Sequence, residues 1–272
     1  MKPADDQLSY AVIGEAMAVH RELGPGLREE LYHQRLAARL REAGVEHFCK
    51  PRRELVHRGM VADVFEPDLV VPAGLVPELK HLTGAFGPEH FLQLKCYLKF
   101  WRIRVGLLFD FGKEKLQFQR YVFDAPAIAL PAAGDLLPCR PASANCHSVA
   151  EVVAHSVLRI AAAHGYGYRD TTYTGLLRAD FAAEGIRCES NPVATVTVGA
   201  APLGESQFGG FIVEHTLLLK VLSQCDAIRP ADRAIMQTWL RLLNLPVGVI
   251  VHFGKTNLEL QWVNQHSPRR SA

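Results

Sequence analysis

The sequence predicts an α/β protein made of two tandem copies of one fold, and three observations lead there. At 272 residues the chain exceeds one average domain of roughly 100–200 residues and suits two modest ones, each burying its own core. Its two halves show the same order of patterns: helix, glycine-marked turn, helix, strands, helix, strand, strand. A block then repeats at a fixed spacing: Val105-Gly106-Leu107-Leu108-Phe109-Asp110-Phe111-Gly112-Lys113 meets Val247-Gly248-Val249-Ile250-Val251-His252-Phe253-Gly254-Lys255, 142 positions on. Gly26-x-x-Glu29-x-x-Tyr32 meets Gly167-x-x-Asp170-x-x-Tyr173 at 141, a drift that one inserted residue explains.

In the first half, Leu8 to Arg21 carries a helical pattern that Gly24-Pro25-Gly26 interrupts with turn chemistry. Leu27 to Ala43 restarts it with an apolar stripe of Leu31, Leu36, Ala37 and Leu40, and Gly44 closes it as a C-terminal cap. Three strands are expected next, Glu54 to Arg58, Phe65 to Val71 and Leu75 to Leu82, with Pro72-Ala73-Gly74 turning the last two into a hairpin. Pro77 in the third argues for a strand start or an edge. Pro88 to Trp101 is a helix with proline in its first turn, and Arg104 to Phe109 is an apolar strand. From Asp124 to Ser148, prolines at 126, 131, 138 and 141 and many alanines break both periodicities, as in a linker. The expected organisation is a first domain over 1–124, a linker over 125–148 and a second domain over 149–272.

Composition narrows the class. With 49% hydrophobic and 21% charged residues the chain has the makeup of a folded globular protein, which excludes collagen-like and charge-rich disordered classes. The net charge of +2 neither demands nor forbids a polyanionic partner. No apolar leader opens the sequence and no run of apolar residues is long enough to span a bilayer, so a cytoplasmic protein with no membrane partner is expected. Six cysteines lie scattered with no C-x-x-C pair, which reads as reduced thiols rather than a disulfide framework or zinc cage; Cys139 with Cys146-His147 is the one faint cluster.

The chemistry-bearing residues gather at the expected hairpin. Asp68 follows Pro67 on one arm, and Glu78-Leu79-Lys80 stands on the other. Positions two apart on a strand share a face, so Glu78 and Lys80 project together and the turn returns them towards Asp68. Two carboxylates are what Mg²⁺ takes beside waters and phosphate oxygens, and a neighbouring lysine can orient or help deprotonate an attacking water. A Glu-x-Lys tripeptide alone is a weak sign, and a surface ion pair is its plain alternative. The apolar company of Val76, Pro77, Leu79 and Leu69-Val70-Val71 argues for a functional pair.

Pro67-Asp68, a spacer and Glu78-Leu79-Lys80 resemble the motif of the PD-(D/E)xK nuclease superfamily. Gly26-Leu27-Arg28-Glu29-Glu30-Leu31-Tyr32, preceded by Val19-His20-Arg21-Glu22-Leu23-Gly24-Pro25, is similar to the signature of the bacterial GxxExxY family within it. Gln93-Leu94-Lys95-Cys96-Tyr97 resembles the Q-L-x-x-Y helix motif of RecB-type exonucleases. The resemblance covers roughly Tyr10 to Phe123 and implies an α-β-β-β-α-β core in each copy, restriction-endonuclease-like, with a Mg²⁺ or Mn²⁺ site at the hairpin. It implies that Asp68, Glu78 and the Leu79 carbonyl bind the metal, that Lys80 is the water-orienting base or electrostatic stabiliser, and that Glu29 reaches the metal directly or through water. Gln93 and Tyr97, one helical turn apart, would touch the phosphate or the ligands, with core packing the alternative for Tyr97. The partner implied is nucleic acid, DNA foremost; Lys95, Lys99, Arg102 and Arg104 about the Gln93 helix, and Lys50, Arg52, Arg53 and Arg58 about the first strand, are the candidate backbone donors, with a solvated face as their plain alternative. No helix-turn-helix, zinc-finger or RRM signature is present to read bases.

The second half has lost these positions. Gly210 falls where Asp68 would, and Leu218-Leu219-Lys220 is read against Glu78-Leu79-Lys80, so that only the lysine survives. Ile235 and Trp239 replace Gln93 and Tyr97. This copy is expected to be inactive and to serve architecture or a protein partner.

Overall fold

A computed structural model describes residues 4–138, 144–199, 201–223 and 227–265, so Cys139 and Cys225 lie outside the described residues. The chain divides into two compact units. The first is Met1–Leu55 with Val64–Ala125, and the second is Val56–Asp63 with Pro126–Ala272.

In the first unit, α1 (Ala4–Leu23) and α2 (Glu29–Glu42) pack as a pair, followed by β1 (Phe48–Cys49), β2 (Arg53–His57), β3 (Met60–Phe65), β4 (Leu69–Val70), β5 (Leu75–Lys80), α3 (Pro88–Trp101), β6 (Val105–Asp110) and β7 (Gln117–Val122). The strand expected over Phe65 to Val71 is thus two strands. Met60–Phe65 pairs with β2 in a separate ribbon whose tip, Val56–Asp63, is counted with the second unit. Glu66-Pro67 then turns the chain before Leu69–Val70 joins β1. Strand β5 runs parallel to β6, and β6 antiparallel to β7. All six residues of β6 are buried, because this middle strand is covered on both faces. The core joins Val12, Ala16 and Val19 of α1 and Leu36 and Leu40 of α2 to Leu69, Leu79, Leu107 and Phe109 of the strands.

The second unit repeats the order with α4 (Ala144–His164), α5 (Asp170–Ala183), β8 (Cys188–Ser190), β9 (Val193–Val198), β10 (Ala201–Gln207), β11 (Phe211–Val213), β12 (Leu217–Ser223), α6 (Pro230–Leu242), β13 (Val247–Phe253) and β14 (Leu258–Asn264). Its main sheet has the order β14-β13-β12-β11-β8. The expected linker is not a bare tether: Ala133–Leu136 forms a 3₁₀ turn, Leu136 is buried, and its carbonyl accepts a hydrogen bond from Trp262 Nε1 at 2.8 Å.

The registers prove the duplication at the level of single residues. Leu75 faces Val105 in one copy, and Leu217 faces Val247, each 142 positions on, in the other. The glycine-turn signature has the same job twice. Tyr32 is fully buried, its hydroxyl donates to the Gly24 carbonyl at 2.7 Å and accepts from Leu27 N, and its ring stacks on Phe111 at 4.6 Å. Tyr173 donates to Gly165 O at 2.7 Å and stacks on Phe253 at 3.9 Å. Gly26 and Gly167 take φ of +94° and +116°, which the intervening turn requires and which glycine adopts without strain.

Where the copies differ is the β-ribbon that carries the site. In the second copy β11 and β12 pair without a break, Phe211 with Leu219, Ile212 with Leu218 and Val213 with Leu217. In the first, only the bridge Val71 to Leu75 remains of that ladder. The next hydrogen-bonded pair would set Leu69 against Pro77, which has no N–H to donate. The proline expected at an edge or strand start stands third in β5, and it opens the ribbon beside Asp68.

Candidate metal centre

Carboxylates take over where the ladder stops. The Asp68 N–H donates to Glu78 Oε2 at 3.2 Å, and the Leu79 N–H donates to Asp68 Oδ2 at 2.8 Å. Each acid therefore holds the backbone of the opposite arm. Lys80 Nζ donates to Glu78 Oε1 at 2.8 Å, so Glu78, Lys80 and Asp68 converge as their strand positions predict. The Asp68 carbonyl is fixed as well, by Lys50 N at 2.8 Å and His33 Nε2 at 2.9 Å.

Burial sets the electrostatics. Glu78 is 2% exposed, and that desolvation, with the Asp68 charge beside it, pushes its carboxyl up to about 7 against the help of Lys80. Glu29, in the first turn of α2, is raised by burial and then by Asp68, although it accepts a hydrogen bond from the His81 backbone. Burial, the largest single influence on Lys80, would depress it, but Glu78, Asp68 and Glu29 together outweigh burial and keep the ammonium raised. Glu78 and Glu29, both held above the ordinary carboxylate range by burial and by the charge of Asp68, stand near one amine, and such a site is short of positive charge.

The donor set fits a hard divalent cation. Asp68, Glu78 and Glu29 offer only oxygen, which suits Mg²⁺ or Mn²⁺ rather than zinc. Among the described residues no group of three or more His, Cys, Asp or Glu is placed to hold a metal ion by itself. Any ion here would have to draw on one or two carboxylates together with waters and a phosphate.

Gln93 and Tyr97 reach the site through the backbone. Tyr97, 8% exposed, donates to Glu66 O at 3.1 Å and accepts from Gln93 Nε2 at 3.0 Å. The pair braces the Glu66-Pro67 corner that aims Asp68, while the Tyr97 ring packs edge-on against Phe65. Lys95 is half-buried, and Arg102 is exposed at the left-handed cap of α3. Lys99 is also half-buried, and desolvation lowers its ammonium to about 8. Leu79 engages the site through its N–H.

Sequence reasoning passed over three contributors. His33 lies one turn after Glu29 on α2, a spacing that could have flagged it. Buried Asp110 accepts from Leu82 N at 3.0 Å and Gly112 N at 2.9 Å, pinning the segment after Lys80. Lys113 Nζ secures the same segment through the carbonyls of Leu82, Thr83 and Gly84, and His20 Nε2 donates to Lys113 O at 2.8 Å. The role of His20 is thus to hold a loop.

The second copy corrects the reading of its own lysine. By register, Lys220 faces Ile250 as Glu78 faces Leu108, so Lys220 stands at the position of Glu78 and Leu222 at that of Lys80. A strand slip of two residues keeps the face, which is why the sequence alone misplaced it. Lys220 Nζ donates to Gly209 O at 2.7 Å and lies 5.7 Å from the Phe208 ring centre. At Gly210, in the place of Asp68, a Cβ would come within 2.2 Å of Leu219 O and 2.5 Å of the Phe208 ring, so no acid fits there. An amine replaces one carboxylate and packing forbids the other. Glu214 does not compensate, because it sits in the β11–β12 turn and accepts from Arg187 N.

No curated protein matches the chain. A solved structure titled "Crystal structure of SSO0001" is similar at 14% identity over 44% of this chain and 59% of its own, with a TM-score of 0.30, so this chain spans under two thirds of it. A family model described as the PD-(D/E)XK nuclease superfamily matches residues 6–121 and again 147–264. Two matched segments covering most of the sequence, each coinciding with one copy of the fold, make this chain a member of the PD-(D/E)XK nuclease superfamily.

Proposed function

We propose that the first unit is a divalent-metal-dependent nuclease that hydrolyses phosphodiester bonds of nucleic acid, DNA foremost, and that it belongs with the GxxExxY proteins. The observation that carries this reading is the junction of Asp68, Glu78 and Lys80 at the opened ribbon, with Glu29 beside it. Asp68 and Glu78 would hold Mg²⁺ or Mn²⁺, with the Leu79 carbonyl and Glu29 completing the inner or water-bridged shell. The ion, when bound, lowers the pKa of a water and neutralises charge on the phosphate. Lys80 stays protonated beside Glu78, so it serves as a donor that orients the water and the non-bridging oxygen rather than as a proton acceptor. Gln93 and Tyr97 act by positioning Asp68. Lys95, Lys99 and Arg102 would supply backbone contacts along α3.

In the second copy Lys220 stands where an acid would be needed, which supports a non-catalytic role in architecture or partner binding. The test is cleavage of single- and double-stranded DNA and RNA, linear and circular, with Mg²⁺ or Mn²⁺ and with chelator. Chelator-sensitive cleavage that is lost in Asp68→Ala and Lys80→Ala, both folded, supports the reading; a wild type inert on every substrate contradicts it.

A further inference from the structure

The two copies permit a controlled comparison at the corner opposite Asp68. In the first copy Lys50 N donates to Asp68 O at 2.8 Å; in the second, Asn191 N donates to Gly210 O at 2.8 Å. Both residues are left-handed, Lys50 at φ +43° and Asn191 at +53°, and both precede a proline, Pro51 and Pro192. The backbone feature is therefore the same and only the side chain differs. Asparagine is enriched in this conformation, whereas lysine gains nothing from it, and a following proline pushes the residue further towards extended geometry. The copy that lost its acids carries the residue that suits the corner. The copy that kept them carries a lysine there, and strain tolerated beside a site is a sign of use.

The placement of Lys50 fits one use. Its backbone lies across from Asp68, and its ammonium is near enough to interact with both Asp68 and Glu29. It rests on Glu30, in an ion pair whose side chains are 43% and 50% exposed, and such a pair is cheap to break. Lys80 is committed to buried Glu78, so Lys50 is the amine that can leave its partner for an incoming anion.

We infer that Lys50 is a substrate-binding residue that leaves Glu30 to hold a backbone phosphate of the nucleic acid next to the scissile bond. The inference rests on the nuclease reading and names how that site grips its substrate. Lys50→Asn copies the second copy's own solution, so the fold should be kept or strengthened. In the full-length protein, with Ca²⁺ to permit binding, the affinity for a short DNA duplex and single strand is measured from low to moderate salt, together with thermal unfolding and Mn²⁺ calorimetry. The expected result is an equal or higher Tm, unimpaired Mn²⁺ binding, DNA affinity weakened roughly tenfold near 0.1 M salt, and a log-affinity against log-salt slope smaller by about one. Lys50→Arg, which keeps the charge, should retain most of the affinity. Unchanged affinity and slope in Lys50→Asn, or no DNA binding by the wild type, would overturn the inference. Cleavage is read separately: binding that depends on Lys50 without any cleavage would sink the nuclease reading alone.

Discussion

Glu78 is the residue on which the proposed chemistry turns, because a nearly sealed carboxyl beside a second acid is costly to ionise without a counter-charge. Its carboxyl titrates near 7 in the folded chain against 4.5 ordinarily. The folded state therefore holds this proton more tightly than the unfolded state does. The stabilisation is complete below about 4.5 and is lost as pH rises through 7. Glu78→Gln removes that loss, so its Tm should vary less with pH between 5 and 8 than the wild type's, while Mn²⁺ affinity falls at least tenfold. Tyr97→Phe tests the bracing role: removing one buried hydroxyl should lower stability by about 1 kcal/mol and lower kcat more than it changes metal affinity. The sequence made Glu78, Lys80 and Asp68 legible, because strand periodicity and a turn suffice to bring them together. It flagged Lys50 only as one of a run of basic residues and passed over His33; both meet the site through the Asp68 carbonyl, and such hydrogen bonds to backbone leave no trace in residue type.

At the level of the element, the site exists because a ribbon fails to zip. Pro77 withholds a ladder hydrogen bond, the arms separate, and Asp68 and Glu78 satisfy the exposed N–H groups. Pro77→Leu, which gives β5 the residue found at Leu219, should extend the ladder towards that of β11 and β12 and turn Asp68 away. Mn²⁺ binding should weaken while the Tm holds or rises, and hydrogen exchange at residue 77 should report a protected amide. Helices α1, α2 and α3 and strand β6 follow from amphipathic spacing and an apolar run, so their positions were readable. Strand β3 was not, because Met60–Phe65 pairs with β2 in a separate ribbon and its buried residues, Ala62 and Phe65, lie three apart rather than alternating. The slip of Lys220 has the same origin, since a shift of two residues preserves every inside and outside assignment.

Taken whole, the molecule is one fold used twice, with Asp68 and Glu78 in one copy and Gly210 and Lys220 at the matching positions of the other. The fixed offset made the repeat visible in the sequence, but only paired strands could show that an amine occupies the second copy's acid position. No helix among the described residues is long and apolar enough to cross a membrane. Reviving the second copy by Gly210→Asp should fail and lower the Tm, because the new Cβ meets Leu219 O and the Phe208 ring. Mn²⁺ calorimetry on the full chain and three variants puts the assignment to its most direct test. Binding should vanish in Asp68→Ala and in Glu78→Ala and remain at wild-type strength in Lys220→Ala. Full binding that survives both acid substitutions, or that disappears with Lys220, would contradict a metal centre in the first copy.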